Sequence, residues 1–153
     1  MASRTTATTA APARPARNQG LGRILVMVYA VFALSAFARS LFQILSQFDV
    51  APVAYALSAF AALVYIVATL SLARSGPRAW TVALGAVLVE LVGVVGVGLW
   101  TVLDPGLFAD ETVWSRFGAG YGFVPLVLPA VGLAWLLAHR PDRADARASR
   151  EER

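Results

Sequence analysis

The sequence predicts an all-α polytopic membrane protein. Four transmembrane helices form an antiparallel bundle, with a short extracytoplasmic interfacial helix between the third and fourth. Three observations predict it. Hydrophobic residues make up 58% of the chain's 153 residues and charged residues only 14%, an apolar share well above that of a soluble domain. The apolar residues gather into stretches of membrane-spanning length, separated by turn signals. The charges left over are mostly arginines at the ends of those stretches.

Composition also excludes function classes. The chain has no cysteine, so disulfides, iron–sulfur clusters and thiolate zinc sites are ruled out. Its single histidine, His139, leaves no pair for bis-histidine haem ligation. No cofactor or metal is expected. The formal charge of +4 does not point to nucleic acid, because the arginines flank apolar segments, where membrane orientation accounts for them.

Residues 1–22 are rich in Thr, Ala, Pro and Arg, and read as a disordered tail that buries too little apolar surface to fold alone. The first span covers about residues 23–48. Its uncharged run, 24–38, is about 22 Å long as a helix, short of a core of about 30 Å, so the helix continues through Arg39. In that continuation Ser35, Arg39, Gln43 and Gln47 recur every fourth residue and share a face, with Ser46 adjoining. A signal peptide is the competing reading, since Ala36-Phe37-Ala38 has the form of a cleavage site. The amphipathic continuation beyond Ala38 argues for one helix instead.

Asp49 is placed to cap the second span, about residues 52–73, and Pro52 suits its first turn. Ala54, Ser58 and Ala62 form a small-residue stripe that lets a neighbouring helix approach. A basic turn, Arg74 to Arg78, leads to the third span, about residues 79–103. There Gly93 and Gly96 lie one turn from Glu90, the single ionisable residue of the segment. Asp104-Pro105-Gly106 ends it. Asp110 and Glu111, followed by Trp114, Phe117 and Gly118, read as a short helix on the membrane surface. The fourth span covers about residues 121–139 and should kink at Pro129. Residues 140–153 read as a charged tail. Trp80, Trp100, Trp114 and Trp135 are expected as interfacial anchors.

Orientation follows from the arginines. With the N-terminus in the cytoplasm, the inside holds Arg4, Arg14, Arg17, Arg23, Arg74, Arg78, Arg140, Arg143, Arg147, Arg150 and Arg153. The outer half holds Arg39 and Arg116. This bias predicts a multi-pass protein of the plasma membrane with both termini cytoplasmic, its surroundings the lipid bilayer.

A carboxylate in mid-span calls for a partner, since a lone charge there costs about 2.5–3.5 kcal/mol. Arg39 is the candidate. It lies about 24 Å beyond Arg23 and Glu90 about 18 Å beyond Arg78, a difference an arginine side chain can span. The candidate buried polar site is therefore Ser35, Arg39, Gln43, Gln47 and Glu90. It reads either as a structural ion pair that fixes helix packing or as a pocket for a small polar ligand, a lipid headgroup or a proton.

Ala38-Arg39-Ser40, the run Ala51 to Ala59, Val89-Glu90-Leu91-Val92-Gly93, Thr112 to Gly118 and Gly120 to Leu126 together resemble a set of small four-span actinobacterial membrane proteins of unassigned function. The resemblance covers about residues 21–139. It implies an inner-membrane protein and brings no catalytic residue. Small multidrug-resistance transporters are similar only in outline, because their membrane glutamate lies in the first helix.

No nucleophile–base pair, phosphate loop or zinc-ligand spacing is visible. The chain is therefore expected not to be an enzyme, although chemistry on lipids or quinones stays open. The first reading is an accessory or structural subunit that meets a membrane-protein partner. The second is a small transporter, or a lipid- or solute-binding protein, built on Arg39 and Glu90 and working as a homodimer.

Overall fold

A computed structural model describes residues 20–106 and 108–141. The expected tails, 1–22 and 140–153, lie almost entirely outside the described residues. Among the described residues the chain is all-helical. Helix α1 is Leu21–Gln47, α2 is Pro52–Leu72, α3 is Pro77–Leu103 and α4 is Val124–Ala138, with a 3-10 segment, Ser115–Tyr121, ahead of α4.

Three helices, α1, α2 and α3, are long and apolar enough to cross a membrane. At 27, 21 and 27 residues they extend about 40, 32 and 40 Å. The fourth departs from expectation. At 15 residues α4 is about 22 Å long, and it reaches span length only together with the 3-10 segment, from which it turns by 102°. The turn falls at Gly122 and Phe123, both left-handed, while α4 runs on through Pro129.

The helices pack in chain order. α2 lies between α1 and α3, α4 packs on α3, and α1 meets α4 lightly. On α1 the buried residues are Gly22, Leu25, Tyr29, Ala33, Ala36, Ser40 and Gln43, spaced three and four apart along one stripe. α2 carries the expected small-residue stripe of Ala54, Ser58 and Ala62 in its buried set. Large aliphatic side chains point the other way: Leu34, Leu45, Val92 and Leu103 are each more than 70% exposed. Among the residues buried most deeply are Tyr29, Tyr55, Tyr65 and Glu90. An apolar exterior over a polar-tipped interior is the arrangement that lipid favours.

Helix ends correct two expectations. Asp49 does not cap α2; Ala51 takes that position without a side-chain bond, and Pro52 opens the helix. α3 begins at Pro77 rather than at residue 79, with Gly76 at φ 115° turning the chain into it. At the far end the Trp80 indole donates to the Leu136 carbonyl at 2.9 Å and ties the start of α3 to the end of α4. That carbonyl lies in the last turn of α4, where it also accepts a longer bond, 3.3 Å, from the His139 amide.

The connection between α3 and α4 differs most from the sequence reading. It forms no helix lying on the surface. Trp114 is 2% exposed, and its ring lies so close over Gly93 that a Cβ there would sit 2.5 Å away. Phe117 lies over Gly98 in the same way. Two missing side chains on α3 thus draw the segment onto the bundle. The inward turn needs left-handed backbone at Arg116, Phe117 and Gly118 in succession. The Arg116 amide is held there by the buried Thr101 hydroxyl at 2.8 Å.

Candidate functional site

Glu90 on α3 has no exposed surface. Val87 and Val94, one turn to either side, are equally buried and wall it in. From α1 the Tyr29 hydroxyl donates to Glu90 Oε2 at 2.8 Å. Gly132 of α4 faces that hydroxyl, and a Cβ there would meet it in ordinary contact at 3.4 Å. From α2 the Tyr65 hydroxyl lies within electrostatic reach of both Glu90 and the Trp114 indole, without a bond of normal geometry to either. The rings support one another. Tyr29 and Tyr65 are 6.3 Å apart between centroids, and Phe60 meets Trp114 edge-on at 6.1 Å. The deep site is therefore Tyr29, Tyr65, Glu90 and Trp114, one residue from each of three helices and one from the inserted segment.

The expected pairing of Arg39 with Glu90 does not form. The Arg39 guanidinium donates to the Tyr121 hydroxyl at 2.6 Å and lies 5.8 Å from that ring's centroid. Phe32 stands between the two sites, its ring 6.1 Å from Tyr65 and 6.4 Å from Tyr121. Helix geometry gives the reason: Glu90 lies level with Tyr29, ten residues and about 15 Å along α1 from Arg39, and the expected polar face does not hold together either. Every fourth residue advances about 40° around a helix of 3.6 residues per turn, so a four-residue repeat winds across the surface instead of holding one face. Ser35 and Arg39 fall outside the buried stripe and are exposed; Gln43 falls on it and is buried. Gln47 is exposed because it ends the helix beyond the last buried turn.

A second polar group lies at the end of the bundle that carries the inserted segment. Gln43 donates to Asp110 Oδ2 at 3.3 Å, and Tyr55 stands beside the same carboxylate. Glu111 and Arg116 form an ion pair. Among the described residues no group of three His, Cys, Asp or Glu side chains could hold a metal.

The four tryptophans separate by environment. Trp100 is 59% exposed at the end of α3 and Trp80 is half-buried. Trp114 and Trp135 are interior, the latter stacked on His139 at 4.7 Å. None of Tyr29, Tyr65 and Tyr121 is among the site residues expected from the sequence. A usable signal existed for the first: Tyr29 continues the spacing of Ala33, Ala36, Ser40 and Gln43. Comparison with known protein families, curated proteins and solved structures gives no match.

Proposed function

We propose that the chain is a four-span protein of the plasma membrane, both termini cytoplasmic, serving as a non-catalytic subunit or docking partner within a larger membrane assembly. In this reading the bent pair of the 3-10 segment and α4 is the fourth span. The observation that carries it is the place of Ser35 and Arg39. Both stand on the outside of an apolar helix, exposed, while the interior is closed with tyrosine, glutamate and tryptophan. One bond to Tyr121 uses one of the five donors of Arg39. A guanidinium at this depth is costly unless another protein surface meets it. A neighbouring helix with hydroxyl, amide or carboxylate acceptors meets that need.

The test is isolation of tagged protein in mild native detergent, with mass spectrometry of what accompanies it. The expected result is a stoichiometric membrane-protein partner that is lost in Arg39→Ala and kept in Glu90→Gln. A monodisperse, partner-free monomer would refute the reading. The transporter reading required Arg39 and Glu90 to line one cavity. They stand apart, so what remains of that reading is the Glu90 cluster alone.

A further inference from the structure

An apolar groove of about 250 Å³ opens outward between α1 and α2, lined by Ala30, Leu34 and Phe37 of α1 and by Ile66, Thr69 and Leu70 of α2. Phe37 and Leu70 are about half exposed, and Leu34 is 72% exposed. The one polar side chain, Thr69, turns its hydroxyl onto the Tyr65 carbonyl of its own helix at 2.7 Å. The groove therefore offers an occupant a concave apolar wall and no hydrogen bond. A helix, about 10–12 Å across, is too thick to enter a space of this volume, whereas a single hydrocarbon chain fits.

One mouth of the groove is basic. Gln47 and Pro52 flank a short turn, so α1 and α2 run antiparallel and residues equally far from the turn stand level. The ring contact of Phe32 with Tyr65, 6.1 Å between centroids, agrees with this. Arg23 is about 36 Å from the turn along α1 and Arg74 about 33 Å along α2, so their heights differ by about 3 Å. Arg23 precedes Ala30 by two turns and shares its face. Arg74 follows Leu70 by one turn and folds its guanidinium back to the Leu70 carbonyl at 3.2 Å. Both arginines are exposed. From residue 20 to residue 78 the sequence has a single carboxylate, Asp49, and it lies in the turn at the opposite end.

We propose that this groove binds an anionic glycerophospholipid, one acyl chain in the groove and the phosphate between Arg23 and Arg74. A phosphate accepts from the planar guanidinium fork two bonds at a time. Basic pockets between transmembrane helices on the cytoplasmic side suit such headgroups. From the level of the arginines the chain runs only one to two turns, about 6–10 Å, to reach Leu70 and Ala30. A zwitterionic lipid fills the groove equally well but brings its own cation to the arginines. The site needs the membrane placement and not the subunit reading. Arg39 lies half a turn round α1 from Ala30, on the opposite side, so a lipid and a protein partner do not compete.

The test uses the purified full chain, with whatever subunit accompanies it, in native mass spectrometry with an equal mixture of phosphatidylglycerol and phosphatidylcholine of identical chains. Phosphatidylglycerol should be retained preferentially. Arg23→Gln and Arg74→Gln should each cut that preference about fivefold, the size of one arginine contact to an anionic lipid. Ala30→Phe fills an exposed position in the groove without changing charge and should cut retention of both lipids. Arg78→Gln removes the same charge at the same end, from α3, and should change neither. In proteoliposomes, phosphatidylglycerol with a photoreactive diazirine in its chain should label Phe37, Ile66 and Leu70 above Val82 and Leu88, exposed residues of α3. Equal losses in all three arginine variants with Ala30→Phe unaffected would mean ordinary attraction to a charged surface, and would overturn the proposal. So would even labelling of α3 and the groove, or a homodimer whose copies meet across the groove.

Discussion

Glycines on α3 give a controlled test of how the inserted segment is held. A Cβ at Gly93 would stand 2.5, 2.6 and 2.8 Å from three atoms of the Trp114 ring. Ordinary carbon contacts lie at about 3.5–4.0 Å, so the ring must retreat by about 1 Å. It cannot do so freely, with Phe60 packed edge-on against it. Overpacking of this kind costs about 1–3 kcal/mol. At Gly85 and Gly96 a Cβ would meet nothing within 4 Å. Alanine there brings no clash and a helix-propensity gain of up to about 1 kcal/mol. Gly93→Ala should therefore be less stable than Gly96→Ala by about 1–3 kcal/mol, or about one to two orders of magnitude in the folding equilibrium. Reversible unfolding in mixed micelles, followed by tryptophan fluorescence, measures the difference. Gly98→Ala should fall with Gly93→Ala or below it, because the obstacle there includes the Phe117 backbone nitrogen at 2.7 Å. Equal stability of the Gly93 and Gly96 variants would refute the inserted placement of Trp114.

Three further outcomes follow from named contacts. Tyr29→Phe removes the donor to Glu90 and should destabilise the bundle by about 0.5–2 kcal/mol in the same unfolding assay. Trp80→Phe removes the bond to Leu136 and should speed amide exchange in the last turn of α4, for a loss of about 1 kcal/mol, while leaving the Glu90 region protected. Because the chain has no cysteine, Asp104→Cys and Ser75→Cys are single labelling sites. In intact cells a membrane-impermeant thiol reagent should label the first and spare the second, and the reverse pattern would invert the proposed topology.

The helices were legible in the sequence because length and apolar composition are local properties. α1, α2 and α3 begin or end within a few residues of their expected bounds, with Pro52 and Pro77 opening the second and third. Contacts between helices were less legible, because they depend on rotation about each axis. They depend on height as well: Arg39 and Glu90 were placed at similar depths by counting from the arginines at the helix ends, yet Glu90 lies level with Tyr29, ten residues and about 15 Å along α1 from Arg39, which bonds Tyr121 instead. Tryptophans posed the same difficulty. An indole beside a charged loop reads as an interfacial anchor, and only the pairing of Gly93 with Trp114 and Gly98 with Phe117 reveals that the segment folds inward. Glu90 itself was visible from the start, since a carboxylate in a long apolar run demands an explanation from composition alone.

The distribution of the Glu90 partners along the chain bears on how the protein is made. A chain is synthesised from its N-terminus, and early segments settle before later ones exist. Tyr29 and Tyr65 belong to α1 and α2, so in the four-span reading both phenols are already in the bilayer when α3 emerges with its carboxyl group. The costliest side chain to insert arrives at a hydroxyl donor that is waiting for it. Trp114 comes last and covers Gly93, one turn beyond the carboxyl group, so the ribosome delivers receptor, guest and stopper in working order.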